Sequence, residues 1–253
     1  MTVAAAALVT GASRGIGRAI AELLVAQGRH VVACARDATA LGSLEQTYPG
    51  RVTALPVDLT EPGAAVGAID EAVRRVGPLR ELVLAAGIVA YAPLGSVSEQ
   101  SLRAQLELNF VASYAMLQRA GVLMRAQGEG AIVVIASTLA SRAAPTTSAY
   151  AASKAALVSA ATGAALELAP HVRVNVVAPG VVDTDMIRVP RRALREGERH
   201  SQVVDDELEQ LRALHPLQRL GMPSDVAQAA LYLLDAPWVT GSVLTVDGGL
   251  SLR

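Results

Sequence analysis

Thr10-Gly11-Ala12-Ser13-Arg14-Gly15-Ile16-Gly17 is the stretch whose reading decides the fold. An apolar run of strand character, residues 5–9, leads into it. Ile16, Ile20, Leu23 and Leu24 follow at helical spacing, with Gly28 near the stop. The glycines make a tight turn, let backbone approach a pyrophosphate, and open a helix whose free N–H groups attract anions. Glycines at such a junction are often only structural, so the weight comes from the strand before and the helix after.

The same alternation runs along the chain. Strand candidates are residues 5–9, 30–34, 52–56, 82–85, 131–136, 173–178 and 243–246. Most are continuously apolar, the mark of strands covered on both faces. Helical stretches lie between them. The pattern predicts an α/β fold: a Rossmann-like, doubly wound parallel sheet of about seven strands with helices on both faces. No linker or repeat divides the chain, so residues 1–253 are read as one dinucleotide-binding domain. Residues 185–215 break the rhythm. They are polar, too long for an ordinary connection, and helical in character over 205–213. They read as a substrate lid or as a solvated insertion.

Composition narrows the function. Of 253 residues 52% are hydrophobic, enough for a buried core, and with only 3% aromatic that core is built of Ala, Val and Leu. A net charge of -1 gives no field for nucleic acid. Apolar runs stop well short of the ~18 residues a membrane helix needs, and no basic region precedes the first strand, so neither span nor signal peptide is expected. Cys34 is the only cysteine, which excludes an internal disulfide and a thiolate zinc cluster; a reducing, cytoplasmic setting without a metal is expected. Lys and Arg total 22, and Lys occurs only at 154, leaving 22 − 1 = 21 Arg.

The second strand candidate bears on the cofactor. A chain that holds the ribose 2′-OH of NAD places Asp or Glu at its end. Here the end reads Ala33-Cys34-Ala35-Arg36-Asp37. Arg36, with Arg14 from the glycine turn, suits the 2′-phosphate of NADP by charge-assisted bonding, so NADP(H) is expected over NAD(H). The competing reading pairs Arg36 with Asp37 and gives Asp37 the ribose. Asp58 and Leu59, after the third strand, are placed beside the adenine. Ala85, Ala86 and Gly87, after the fourth, are small enough for backbone to approach the cofactor.

Tyr150 and Lys154 lie at i and i+4 in a segment of strong helix formers, on one face. A phenol with a pKa near 10 needs about 4 kcal/mol in favour of its anion to trade protons near neutrality. A nearby ammonium supplies charge of that sign. With 5 Tyr in 253 residues, a lone lysine falls four after a tyrosine about one time in fifty by chance.

With these motifs in order, the chain resembles the short-chain dehydrogenase/reductases over essentially its whole length. The glycine run at 10–17 and Tyr150-Ala-Ala-Ser-Lys154 carry the resemblance, with Pro179-Gly180-Val181-Val182-Asp183-Thr184 and Val246-Asp247-Gly248-Gly249. It implies that Tyr150 is the acid–base, Ser137 holds the substrate oxygen, Lys154 lowers the Tyr150 pKa and binds ribose, and Asn109 holds a water leading to solvent. It places Pro179, Gly180, Val182 and Thr184 at the nicotinamide end, and Ser137, Leu139, Tyr150, Met186 and Arg188 around substrate. It also implies a homo-oligomer, tetramer or dimer, which the Ala-rich helix from Tyr150 suits. The family often has Asn-Asn-Ala-Gly where this chain has Leu84-Ala85-Ala86-Gly87, which predicts a less braced turn.

Two subfamilies stand near. Thr184-Asp185-Met186 resembles 3-oxoacyl-thioester reductases. Residues 183–186, 85–88 and the long lid resemble 2,3-dihydro-2,3-dihydroxybenzoate dehydrogenases, which normally use NAD, against Ala35 and Arg36. The lid arginines 188, 191, 192, 195 and 199 hold an anion or form a solvated face offset by Glu196 and Glu198. A dinucleotide-binding protein without turnover is the remaining alternative.

Overall fold

The computed structural model describes residues 6–188 and 200–252. Seven parallel strands form one sheet: β1 (Ala6–Thr10), β2 (His30–Ala35), β3 (Val52–Pro56), β4 (Leu79–Leu84), β5 (Gly130–Ile135), β6 (Val172–Pro179) and β7 (Val243–Val246). Their order is β3-β2-β1-β4-β5-β6-β7. The order reverses between β1 and β4, and ligands of such sheets bind in the crevice beyond that switch.

Successive residues of each strand feed opposite layers. Leu8 packs with Val32, Leu82 and Ile132 under α3 (Ala64–Val76), α5 (Ser113–Gln127) and α6 (Ser148–Leu168). Its neighbours Ala7 and Val9 pack with Val31, Val83 and Val133 under α1 (Gly15–Ala26), α2 (Ala38–Thr47) and α8 (Pro223–Asp235). Double coverage explains the continuous apolar runs. In α6 the buried positions Tyr150, Ser153, Lys154, Leu157, Ala161, Ala165 and Leu168 recur every three or four residues, so one stripe meets the sheet.

Two elements differ from expectation. β4 starts at Leu79, three residues before the apolar run, because Glu81 is buried within it and bound by Arg29 through Nε at 3.0 and 2.9 Å. The helix in the polar segment, α7, spans His200–Leu214 rather than 205–213. Its Val204 and Leu208 form a small separate core with Ile187 and Leu220. The arginines at 191, 192, 195 and 199, with Glu196 and Glu198, lie outside the described residues. Between α4 (Glu99–Leu106) and α5 a π-helical stretch, Glu107–Ala112, carries Asn109.

Candidate active site

The turns after β1 and β4 are bolted together by Thr10. Its buried hydroxyl accepts from the N–H groups of Ala85 at 2.9 Å and Ala86 at 3.0 Å, and lies 3.4 Å from Val83 O. The turn read as poorly braced is therefore held from the neighbouring strand. A Cβ on Gly17 would stand 2.4 Å from Gly11 O, so α1 meets the turn through bare backbone.

A cavity of about 400 Å³ follows these turns, walled by Gly11 and residues 13–17, 35–37, 57–59, 85–88 and 184–186. Arg14 and Arg36 stand at its mouth. Each lies 3.7 Å from a carboxylate, Asp185 and Asp58 respectively, in pairs open to water and therefore weak. Asp37, in the same wall, caps α2: its Oδ1 accepts from Ala40 N–H at 2.9 Å. The reading that paired Arg36 with Asp37 is thus corrected, since the carboxylate beside Arg36 is Asp58. Hydrogen bonds from the Thr60 N–H and hydroxyl, with Arg36 nearby, hold Asp58 below the usual carboxylate range.

A second cavity of about 610 Å³ adjoins the first and shares Ile16, Ala85, Gly87, Thr184 and Met186 with it. Ser137, at the end of β5, and Tyr150 and Lys154, on α6, lie in its wall. Most of the rest is apolar, including Val89, Leu139, Pro179 and Val182, and α7 contributes Leu211 and Leu214. The Ser137 Oγ accepts from Leu139 N–H at 3.1 Å, which aims the hydroxyl. Lys154 Nζ donates to Ile135 O at 2.9 Å and sits 5.9 Å from the centre of the Tyr150 ring. A Cβ on Gly87 would stand 3.3 Å from that Nζ and 3.1 Å from Asn109 Oδ1. This is a cradle kept open by a missing side chain, with polar groups behind it, and it fits a dinucleotide threading from the first cavity into the second.

The family model described as "Enoyl-(Acyl carrier protein) reductase" matches residues 11–251. A 3-oxoacyl-[acyl-carrier-protein] reductase of Bos taurus is 35% identical over 96% of this chain and 97% of its own. A vibriobactin-specific 2,3-dihydro-2,3-dihydroxybenzoate dehydrogenase of Vibrio cholerae is 33% identical over 97% and 95%. A short-chain dehydrogenase/reductase structure from Brucella melitensis superposes with a TM-score of 0.87 at 30% identity over 97% and 96%. A structure described as an NAD(P) dependent gluconate 5-dehydrogenase from Beutenbergia cavernae, with NADP bound at low occupancy, gives 0.88 at 33% over 100% and 98%. The chain belongs to the short-chain dehydrogenase/reductase family. It is an oxidoreductase acting on CH–OH groups, of a family that binds a nicotinamide dinucleotide.

In this short-chain dehydrogenase/reductase the expected residues divide by position. Those of the glycine turn, with Arg36, Asp58, Leu59, Ala85, Ala86 and Gly87, wall the first cavity. Ser137, Leu139, Tyr150, Lys154, Pro179, Gly180 and Val182 wall the second, and Thr184 and Met186 wall both. Arg188 is not in either wall. Its Nη2 donates to Asp183 Oδ1 at 2.6 Å. Asn109 is fully buried behind the site. Its Oδ1 accepts from Ile88 N–H at 2.8 Å, and its Nδ2 donates to Ile88 O and Ser153 Oγ, each at 2.9 Å.

Ser153 and Thr10 were missed as site residues. Ser153 donates to Tyr150 O at 2.7 Å and receives Asn109, tying α6 to the π-helical stretch. A hydroxyl whose partner sits on a distant element leaves no pattern in sequence. Burial shifts both ionisable groups of the α6 pair. Burial pushes the Tyr150 phenol up to about 12, against an opposing hydrogen bond from Ser137. Burial pushes Lys154 down to about 8. In both groups the loss of water is the largest cause of the shift.

Proposed function

We propose that this protein interconverts a ketone and a secondary alcohol by hydride transfer, with NADP(H) preferred over NAD(H). The observation that carries the reading is the placing of Ser137 and Tyr150 together in the wall of an apolar cavity continuous with the glycine-turn cavity. The dinucleotide supplies the hydride; the rest falls to the chain. Backbone N–H groups of residues 13–17 hold pyrophosphate at the start of α1. Ser137 orients the substrate oxygen and Tyr150 gives or takes its proton. Lys154 binds the nicotinamide ribose and favours the phenolate, while Pro179, Gly180, Val182 and Thr184 flank the nicotinamide. Asn109 and Ser153 keep α6 and the turn at 87–88 in register. Residues 185–215 serve as the lid, with α7 excluding water through Leu211 and Leu214.

For the cofactor, Arg14 and Arg36 flank the cavity mouth with weak, displaceable partners, and Asp37 is committed to a helix cap. A phosphate between two guanidinium groups recovers more than either exposed pair gives up. Within the reading, a 3-oxoacyl-thioester or other ketone is the first substrate class, supported by the 35% identical reductase. A cyclic dihydrodiol acid is the second, supported by the 33% identical dehydrogenase. The protein acts as a homo-oligomer in the cytoplasm, which agrees with a single buried thiol and with exposed Tyr232, Trp238 and Val243 beside the edge strand β7. Among the described residues no helix is long and apolar enough to cross a membrane.

The test is NADPH and NADH oxidation with a panel of β-ketoacyl thioesters and simple ketones, and NADP⁺ reduction with cyclic dihydrodiol acids. NADPH is expected to show the lower KM, and Arg36→Ala to raise it by about tenfold or more while leaving NADH within a factor of about three. A wild-type preference for NADH refutes the cofactor assignment.

A further inference from the structure

Arg142 is a cation in the wall of the substrate cavity that the reading above leaves without a task. It follows Ser137 by one short turn: the 3₁₀ segment Thr138–Ala140 ends with Arg142 N–H donating to Thr138 O at 3.0 Å. The guanidinium is half-buried and lines the same cavity as Ser137 and Tyr150. Its Nη1 donates to Leu250 O of the C-terminal segment, which fixes the group. Among the described residues the Nε–Nη2 edge meets no other acceptor, and no carboxylate lies within 4 Å. Most described arginines, including Arg14, Arg36, Arg188 and Arg219, have such a carboxylate neighbour.

We propose that Arg142 anchors a carboxylate of the substrate, so that the ketone or alcohol turned over is an acid. This deepens the reading above and rests on it. A guanidinium held at one edge by a carbonyl presents the other as a fork that matches a carboxylate in two parallel bonds. The mostly apolar wall raises the value of such a pair and makes a neutral group a poor substitute. Among the described residues the other cation of the wall is Lys154, which donates to Ile135 O. The anion site thereby lies on the 138–147 loop rather than at Arg188. Two anchors, the reacting oxygen on Ser137 and Tyr150 and the acid on Arg142, fix which carbon faces the cofactor.

The test measures binding apart from turnover. Cyclohexanecarboxylate and cyclohexanecarboxamide are titrated calorimetrically into the protein saturated with NADP⁺, and 3-oxocyclohexanecarboxylate and its methyl ester are compared as substrates with NADPH. The wild type is expected to bind the acid at least about tenfold tighter than the amide and to favour the keto acid over its ester in kcat/KM by a similar factor. Arg142→Gln is expected to abolish both preferences. Arg142→Lys, which keeps a donor for Leu250 O, is expected to retain a reduced preference for the acid. Equal affinities for acid and amide in the wild type, including no binding of either, or an acid preference that survives in Arg142→Gln, overturn the anchor. Acid-selective binding lost in Arg142→Gln, with no ketone reduced, supports the anchor and counts against the reductase reading instead.

Discussion

Lys154 and Tyr150 are shifted in opposite directions by one cause, loss of water around both. An unfolded lysine keeps its proton to about pH 10.5, whereas folded Lys154 keeps it only to about 8. Between those values the unfolded chain binds the extra proton, so this group adds stability as pH rises. Tyr150 acts the other way and higher, between 10 and about 12, where the folded chain holds the proton longer. Urea unfolding of the wild type and Lys154→Met at about pH 7.5 and about pH 10 isolates the lysine. The wild type is expected to gain on the variant as pH rises; a constant difference contradicts the burial of a charged Lys154. At this scale Tyr150 and Lys154 were legible because helical spacing and a lone lysine both mark them. Thr10, Ser153 and Arg142 were not. Their meaning lies in partners on other elements, such as Ala85, Asn109 and Leu250, and one-dimensional spacing does not carry that.

Elements were legible where burial is double and opaque where charge is buried. β1, β2, β5 and β6 announce themselves because both faces need apolar residues. β4 hides its first turn because Glu81 is paired with Arg29, which also reaches Asp235 at the end of α8. That pairing joins β4, the entry to β2 and α8 at the end of the sheet away from the cavities. Arg29→Met leaves Glu81 buried between an attracting Arg173 and a repelling Asp235, and is expected to cost about 3 kcal/mol in denaturant unfolding. Arg29→Met with Glu81→Met is expected to recover most of the loss, because a buried pair replaced by apolar groups is often near neutral. A double variant as unstable as the single one contradicts that account of β4. The break at residues 185–215 was legible as a departure from rhythm. The start of α7 was not, because His200-Ser201-Gln202 is polar and Val203-Val204 is β-branched, a run with little helical signal of its own.

Across the molecule, the strand order reverses where the glycine turn and Gly87 face each other, so fold and site have one origin. The substrate was less legible, because its walls come from the 138–147 loop, α7 and Leu250, three segments distant in sequence. The surface carries its own expectation. Trp238, the only tryptophan, is 97% exposed beside β7. If β7 is an interface between copies, tryptophan emission shifts to longer wavelength on dilution, in step with a fall in mass by light scattering. A constant emission with constant mass places any interface elsewhere. The central claim concerns Tyr150. NADPH oxidation by wild type and Tyr150→Phe, measured side by side on a ketone the wild type reduces, tests it most directly. The variant is expected to bind NADPH like the wild type and to lose about 10²- to 10⁴-fold in kcat. A variant that turns over at the wild-type rate, or a wild type that oxidises NADPH with no ketone offered, contradicts it.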